Sequence, residues 1–375
     1  MVLSPFIWPL NNYQFEKTFL EKTLAFKKSL GYSFSLKEKS MSWLKRNWPY
    51  RQGAQILFCR FGLAANCPEL MPVWPGKIEV PSLLTDFHEV SQINWPENEA
   101  DGYIFIQNSG EVKPGYKVKG REWFFEGPLL ELSQKTSDRR FSFWGNQGFL
   151  YRLTLACLEK NHGVYSFHAC GLVDETQKKL FVVAGGAGSG KTVYLLSGLR
   201  RGLKLFSTET VHFRLAGDQI EWFMGSLLDN IRLGTLHHDF PDFLPPELKN
   251  TADWSREWQT KVAVDLSAFR FASTRLISPE CQVIFPHIEE GRRGYELHEI
   301  KDRRQAARIL FQNISEKIAS SFILYDVLPI VGFDSPELAS KRLEVLKRFL
   351  SHPQTKTPVE ILAGPGACWA NLMEA

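Results

Sequence analysis

The sequence predicts an α/β protein with two domains, and three observations lead to that prediction. At 375 residues the chain exceeds the roughly 150 residues of a typical single domain. Short β-rich runs separated by Pro, Gly and Asn fill its first part, as in an α+β domain. In its second part a strand, a glycine-rich loop, a helix and another strand follow one another, an order typical of α/β domains. We therefore expect an N-terminal β-rich α+β domain at 1–145 and an α/β domain at 146–375.

The composition is that of a folded globular protein, with 44% hydrophobic residues, 23% charged residues and a formal net charge of +4. Its basic pairs are scattered rather than gathered into one stripe, which argues against nucleic acid as a partner. No apolar stretch reaches the roughly 18 residues of a membrane span, and the start of the chain lacks a signal-peptide pattern. The six cysteines show neither a C-x-x-C pair nor zinc-ligand spacing, so we expect reduced thiols and a cytoplasmic location.

The first domain is predicted to begin with one or two helices over 12–47, where apolar residues recur on one side. Short strands are then expected at 54–63, 102–107 and 123–132, and the intervening turn residues suggest an antiparallel sheet. We expect this first domain to shape the access of a substrate or partner. Beyond the expected boundary, residues 146–160 have helical spacing, and a strand is expected at 167–173.

The second domain is predicted to contain a strand at 179–184, a helix from Thr192 to Arg201 closed by Gly202, and a strand at 203–207. Further strands are expected at 212–215, 220–224, 261–266 and 281–287, with a long loop between 225 and 255. Two helices end the chain, and the second begins at Ser335 with Pro336 in its first turn. Its basic residues are interpreted as a solvated face, and they are Lys341, Arg342, Lys347 and Arg348.

A phosphate-binding loop is predicted where the chain matches G-x-x-x-x-G-K-S/T at every fixed position. The loop consists of Gly185, Gly186, Ala187, Gly188, Ser189, Gly190, Lys191 and Thr192. Its glycines let backbone N–H groups converge on phosphate oxygens, and Lys191 supplies a positive charge to the β- and γ-phosphates. Thr192, at the start of a helix, can offer its hydroxyl to Mg²⁺. The pattern, lying between a strand and a helix, indicates ATP and Mg²⁺ as cofactors.

An acidic partner for the metal ion has two candidates in the sequence. Glu209 follows the strand after the loop's helix, and Asp265 ends an apolar run that resembles a Walker B strand. A residue at the end of a strand is often only a polar terminus, and for Asp265 that interpretation is favoured over a metal role.

The stretch from Phe167 to Val211 resembles the catalytic core of the HPr kinase/phosphorylase family, whose nucleotide-binding architecture is shared with phosphoenolpyruvate carboxykinases. The resemblance is carried by HACGLV at 168–173, the loop at 185–192 and LRRGLKLFSTE at 199–209. It implies a P-loop kinase-like domain at 146–375 with His168 near the γ-phosphate. Glu209 falls on the second of the family's two consecutive aspartates, which implies a metal-associated role. Thr208 falls on the first, where a carboxylate normally accepts the proton of the attacking hydroxyl, so His168, Glu209 or positioning alone must replace it.

The segment after the strand at 220–224 combines glycines with polar and charged residues, and such loops often carry function. Arg232 in this segment can neutralise charge on a transferring phosphoryl group. The alternative is a surface arginine that pairs with Asp229.

These observations favour a Mg²⁺-dependent kinase that transfers the ATP γ-phosphate to a hydroxyl of a small metabolite or of a protein or peptide serine. His168, Lys191, Glu209 and Arg232 are the expected catalytic residues, and Thr192 and Glu209 the expected metal ligands. One alternative is an ATP-binding protein without transferase activity, which the Thr208 departure favours. A second is a carboxykinase-like enzyme, for which the additional basic residues and second metal site are not located. The identity of the acceptor, the preference between ATP and GTP, and homo-oligomerisation are left open.

Overall fold

The computed structural model describes residues 43–74, 86–97, 99–186, 188–249, 254–289 and 292–364. The chain divides into two compact units, residues 1–46 and residues 47–375. Of the first unit the described part is a short 3-10 helix, Trp43–Lys45, and most of the helical segment predicted at 12–47 lies outside the described residues. The elements below belong to the second unit.

A six-stranded sheet forms the first half of this unit. Its strands are β1 (Tyr50–Ile56), β2 (Cys59–Ala65), β3 (Val90–Ile93), β4 (Gly102–Asn108), β5 (Gly115–Lys119) and β6 (Glu122–Gly127). Their spatial order is β3-β1-β2-β4-β6-β5. The prediction of an antiparallel sheet was wrong in part, because β2 pairs with β4, and β4 with β6, in parallel. These parallel neighbours are distant in sequence, and turn signals report only the chain's local reversals.

The remaining strands are β7 (Tyr165–Asp174), β8 (Lys179–Ala184), β9 (Lys204–Ser207), β10 (Thr210–Ala216), β11 (Gln219–Phe223), β12 (Leu228–Arg232), β13 (Lys261–Asp265), β14 (Arg275–Ile277), β15 (Glu280–Ile288), β16 (Tyr295–Glu299), β17 (Phe322–Leu324), β18 (Leu328–Ile330) and β19 (Val359–Ala363). Nine of them form a mixed sheet in the order β14-β11-β10-β7-β8-β15-β19-β16, with β9 also paired to β7. The pairs β12–β13 and β17–β18 stand apart as two-stranded sheets. The fold is therefore mixed α/β, with several sheets.

Five α-helices accompany these strands in the described residues, and they are α1 (Leu129–Lys135), α2 (Phe149–Cys157), α3 (Lys191–Arg200), α4 (Arg303–Ala319) and α5 (Pro336–Ser351). The prediction for the last helix is confirmed, because the Ser335 hydroxyl accepts a hydrogen bond from the Leu338 N–H and Pro336 occupies the first turn. The helix predicted after the glycine-rich loop is confirmed as α3.

Three hydrophobic cores hold these layers together. The first lies between the six-stranded sheet, α2 and the β17–β18 pair, and it draws residues from both sides of residue 145, the expected domain boundary, which stays a prediction. The nine-stranded sheet has a core on each face, one with α4 and α5 and the other with α3 and residues 231–244. Along β7, Phe167 and Ala169 enter one core while Cys170 and Leu172 enter the other, as alternation along a strand requires.

Arg342 on α5 contradicts the interpretation of its helix face as solvated, because its side chain is fully buried. Its guanidinium pairs with Glu159 at 2.9 Å and with Asp334 at 3.0 Å. A buried guanidinium needs such partners to offset its lost hydration, so this pair ties α5 to the turn that follows α2.

The described cysteines are unbridged: Cys59, Cys67, Cys157, Cys170 and Cys281 carry free thiols, and Cys368 lies outside the described residues. Among the helices that the structure describes, none combines the length and apolarity needed to cross a membrane.

Candidate active site

The predicted phosphate-binding loop joins β8 to α3, between the central strands of the sheet and a helix N-terminus. Gly188 and Gly190 have φ values of +81° and +105°, in the left-handed region that favours glycine. A Cβ on Gly185 would lie 2.5 Å from the Ser189 hydroxyl, so the loop also needs a glycine there to close tightly. Ala187 lies outside the described residues.

Lys191 is held inside the loop by its own ammonium group. Nζ donates to the carbonyls of Gly185 at 2.7 Å and Gly186 at 3.0 Å. An ammonium has three N–H donors, so one remains for an incoming anion. Burial lowers the pKa of Lys191, although nearby carboxylates, Glu209 foremost, oppose that effect. The hydroxyl of Ser189, in the same loop, is buried and has no hydrogen-bond partner among the described residues, so it too can donate to an anion.

Thr192 lies beside a buried carboxylate that the sequence did not single out as a site residue. Its hydroxyl donates to Asp229 Oδ2 at 3.4 Å, and Asp229 is 3% exposed. Burial, and then the charge of Glu209, raise the pKa of Asp229 to about 7. Asp229 belongs to β12, which pairs with β13 rather than with the nine-stranded sheet. This strand pair places Asp229 beside the start of α3.

Thr208 helps to place Asp229. Its hydroxyl donates to the Leu228 carbonyl at 2.6 Å, and its backbone N–H donates to the Ser226 carbonyl at 2.9 Å. The residue is 3% exposed. Thr208 therefore fixes the entry to β12 through hydrogen bonds, and its hydroxyl is directed at backbone carbonyls.

His168 and Glu209 meet because of strand register. β10 starts opposite His168, with Thr210 as its Cα partner, so the preceding residue, Glu209, lies next to the ring. His168 Nε2 is 3.4 Å from Glu209 Oε2, and Nδ1 is 3.1 Å from Glu316 Oε2 on α4. Burial lowers the pKa of His168, but the hydrogen bonds to both carboxylates outweigh it and the pKa is raised. The pKa of Glu209 is lowered in turn. Burial alone would raise it, but the hydrogen bond and the charge of His168 lower it.

Helix α4 positions His168 through Asn313. The Asn313 amide accepts from the His168 backbone N–H at 2.9 Å and donates to its carbonyl at 2.9 Å, as a neighbouring strand would. Asn313 and Glu316 are three residues apart and share one helix face. The sequence analysis named neither residue, and the signal that could have related them is their three-residue spacing on one predicted helix.

Asp86, which precedes β3 in the sequence, lies close to Glu209 and His168. It is 9% exposed, and burial together with the charge of Glu209 raises its pKa to about 7. Lys317 on α4 opposes that rise with its positive charge. The adjacent Phe87 forms an isolated bridge with Gly225, which holds this stretch near the entry to β12.

Arg232 and Asp265 lie on the β12–β13 pair, outside this group of interacting residues. Arg232 is exposed, and its guanidinium donates to the Trp258 carbonyl instead of pairing with Asp229. Asp265 is also exposed and accepts a hydrogen bond from the Ser267 N–H at 2.8 Å, which caps its own turn. The interpretation of Asp265 as a strand-end residue agrees with this contact.

Comparison with known proteins gives little to set beside this geometry. No family model matches the chain, and no curated protein matches it. Among solved structures, the HPr(Ser) kinase/phosphatase from Coxiella burnetii is 12% identical, with 49% of this chain and 94% of that chain covered and a TM-score of 0.19. At that TM-score the likeness supports no inference about this chain.

The chemistry of the site follows from its own donors. A strand-to-helix loop presents backbone N–H groups and one ammonium, which suits a polyphosphate. The Thr192 hydroxyl and the Asp229 carboxylate are in contact, and the charge of Glu209 acts on Asp229, so this part of the site offers oxygen donors, which suit Mg²⁺. Two carboxyls whose charges repel, with the pKa of one raised to about 7, are also groups that a divalent cation would stabilise in the ionised form.

Proposed function

We propose that this chain is a phosphotransferase that binds ATP with Mg²⁺ and transfers the γ-phosphate to a hydroxyl of a small metabolite or of a protein or peptide serine. The observation that carries the proposal is the 3.4 Å contact between the Thr192 hydroxyl and Asp229. It puts a buried carboxylate next to the residue that ends the glycine-rich loop, where a nucleotide-bound cation needs its ligands.

In the proposed complex the backbone N–H groups of 185–190 and the Lys191 ammonium bind the β- and γ-phosphates. Thr192, Asp229 and Glu209 would hold Mg²⁺, directly or through water. The ion supplies positive charge against the phosphate oxygens. The contacts with Glu209 and Glu316 raise the pKa of His168 and so favour a protonated ring, which in that form would orient Glu209 and add positive charge.

Transfer then requires little covalent chemistry from the protein. The acceptor oxygen attacks the γ-phosphorus, the bond to the bridging oxygen breaks, and ADP leaves with the electron pair. The acceptor's proton passes to Glu209, whose side chain is 32% exposed while Asp229 is buried. Thr208 cannot take this proton, because a hydroxyl is not a base near neutral pH and its own is directed at the Leu228 carbonyl.

The test combines nucleotide binding with product analysis. Calorimetry should show ATP binding that Lys191→Ala weakens strongly, while the exposed Lys135→Ala serves as the matched control. ATP labelled at the γ-phosphate is then incubated with pools of hydroxyl-bearing metabolites and serine peptides, with and without Mg²⁺. A labelled acceptor that requires both Mg²⁺ and Lys191 supports the proposal. Unchanged ATP affinity in Lys191→Ala overturns the nucleotide site itself.

A second function is favoured by the environment of Thr208, which leaves the site without the carboxylate that the resemblance would put there. In that case ATP binding stabilises a conformation used to recognise a partner, and no phosphate is transferred. Tight ATP binding without any labelled acceptor or released phosphate would select this function.

A further inference from the structure

A second group of metal-ligating side chains lies on the segment that follows β12. His237 and His238 belong to a short turn of π-helix, Thr235–Asp239, and Glu257 follows the 3-10 helix Trp254–Arg256. His237 Nδ1 lies 3.0 Å from Glu257 Oε2, and His238 Nε2 lies 2.8 Å from Glu257 Oε1. The ligand atoms of the three residues all lie within 4.8 Å of one another.

Two indole rings hold these imidazoles in place. The ring of His237 is 4.3 Å from that of Trp254, and the ring of His238 stacks on Trp258 at 5.7 Å with an interplanar angle of 9°. Trp258 can come this close because residue 234 is glycine: a Cβ there would lie 2.6 Å from the indole. The rings are therefore oriented by packing, although both imidazoles are about half exposed.

Backbone contacts bring the two parts of the site together independently of its side chains. The Gly234 N–H donates to the Glu257 carbonyl at 3.0 Å, and the Leu233 N–H donates to the Thr260 carbonyl at 2.9 Å. Leu236, between these contacts and the histidines, is fully buried in the core that α3 enters. The three ligands thus sit on backbone that is already anchored, which lowers the entropy that an ion must offset on binding.

We propose that His237, His238 and Glu257 bind one divalent transition-metal ion of the zinc type. Two imidazole nitrogens and one carboxylate are ligands that such ions prefer, and hard cations such as Mg²⁺ do not choose nitrogen. Metal–ligand bonds of about 2.0–2.2 Å place neighbouring ligand atoms roughly 3 Å apart. The two His–Glu distances already match that spacing, so the ion would replace two hydrogen bonds with little movement. Its remaining coordination positions would face water.

Bound there, the ion would link residues 235–239 to residues 254–258 beside the helix of the candidate active site. The same segment already contacts that helix through Asp242, whose carboxylate pairs with Arg200 on α3. The expected effect is stabilisation of this segment, which is independent of phosphoryl transfer.

The experiment uses the full chain without an affinity tag, stripped with a chelator and kept free of nucleotide. Calorimetry with Zn²⁺ should give one site per chain, and thermal unfolding should shift upward on adding Zn²⁺. His238→Ala and Glu257→Gln should each weaken this binding by a factor of at least about 10, and more where the ligand is lost outright. The control is His287→Ala, since His287 is equally exposed, at 50%, and also pairs with a glutamate.

Cobalt gives the second readout, because Co²⁺ takes the same ligands and its visible spectrum reports nitrogen and oxygen donors. The expected spectrum should appear in the parent chain and in Asp229→Asn, and it should be lost in His238→Ala. Failure of the parent chain to bind Zn²⁺ or Co²⁺ overturns the proposal, as does binding that persists unchanged in His238→Ala and Glu257→Gln. Loss of binding in Asp229→Asn alone would show that the ion binds at the nucleotide site, and this result would also overturn the proposal.

Discussion

The Thr192 hydroxyl and the Asp229 carboxylate, 37 residues apart in the chain, meet at 3.4 Å beside the start of α3. If this pair holds nucleotide-bound Mg²⁺, Asp229→Asn keeps the shape of the side chain and removes its charge. We expect phosphoryl transfer to fall by a factor on the order of 10², the scale seen when a preorganised charged group is removed. Binding of ATP without Mg²⁺ should stay equal or become tighter, since a buried negative charge near the phosphates is gone.

The matched control for this experiment is Asp265→Asn, since Asp265 ends the partner strand and only caps an exposed turn. Calorimetry with and without Mg²⁺, together with the labelled-ATP assay, separates the two variants. Equal losses in both, or none in Asp229→Asn, would remove Asp229 from the metal site.

The stability of the folded protein should depend on pH through the carboxyl group of Asp229. Its folded-state pKa is raised to about 7 from an ordinary 3.8, so the folded protein holds this proton where the unfolded chain has lost it. The resulting stabilisation is complete below about pH 4 and is lost as the pH rises through about 7. The amide introduced by Asp229→Asn cannot titrate, so this variant should gain stability relative to the parent between about pH 5 and pH 8. With about 1.4 kcal/mol per pKa unit, and about two units between pH 5 and a pKa of about 7, the gain between these two pH values has an upper limit of roughly 3 kcal/mol.

Urea unfolding of both proteins in nucleotide-free buffer measures this difference. Carboxyls that do not interact with Asp229, such as Asp86, titrate alike in both proteins, so their contributions cancel in the comparison, whereas the titration of Glu209 responds to the substitution. A difference in unfolding free energy that stays constant between the two pH values contradicts the raised pKa of Asp229.

The pKa of His168 should depend on its two carboxylates. Because hydrogen bonds to Glu209 and Glu316 raise it against the effect of burial, Glu209→Gln and Glu316→Gln should each lower it. Histidine titration by NMR measures the change directly, and Glu344→Gln, on the exposed face of α5, is the control. The activity should separate the two variants: Glu209→Gln should lose transfer by a factor on the order of 10², whereas Glu316→Gln retains the proton acceptor. A His168 pKa that both substitutions leave unchanged would contradict the bridging arrangement.

The sequence predicted the parts of the site that are local. The loop at 185–192 is one continuous motif whose glycines and lysine have fixed spacing, and the adjoining strands and helix follow from apolar periodicity. Glu209 was found because it lies at a fixed distance after α3. Such short-range patterns record what the backbone must do over a few residues, and the structure agrees with them.

The residues that were missed reach the site through pairings that no local pattern records. Asn313 contacts His168 across 145 positions, and Asp229 arrives on a strand pair separate from the main sheet. The interpretation of Arg342 as part of a solvated face was wrong for a related reason. Its charge indicated exposure, but its partner Glu159, 183 positions away in the sequence, offsets the cost of burying it. Long-range register and charge pairing therefore set the limit of what the sequence alone predicted.

Thr208→Asp would restore the carboxylate that the family resemblance puts at this position, but the structure predicts damage rather than recovery. Thr208 is 3% exposed, and its hydroxyl donates to the Leu228 carbonyl at 2.6 Å. A carboxylate cannot donate while it is ionised, so the substitution would direct a buried negative charge at carbonyl oxygens and add to the charges of Glu209 and Asp229. We expect a loss of about 3 kcal/mol or more in unfolding free energy. Thr208→Ser keeps the donor and should cost about 1 kcal/mol or less, so urea unfolding of the two variants isolates the hydroxyl's role. Full stability in Thr208→Asp, accompanied by faster phosphate transfer, would show instead that position 208 opens onto the acceptor.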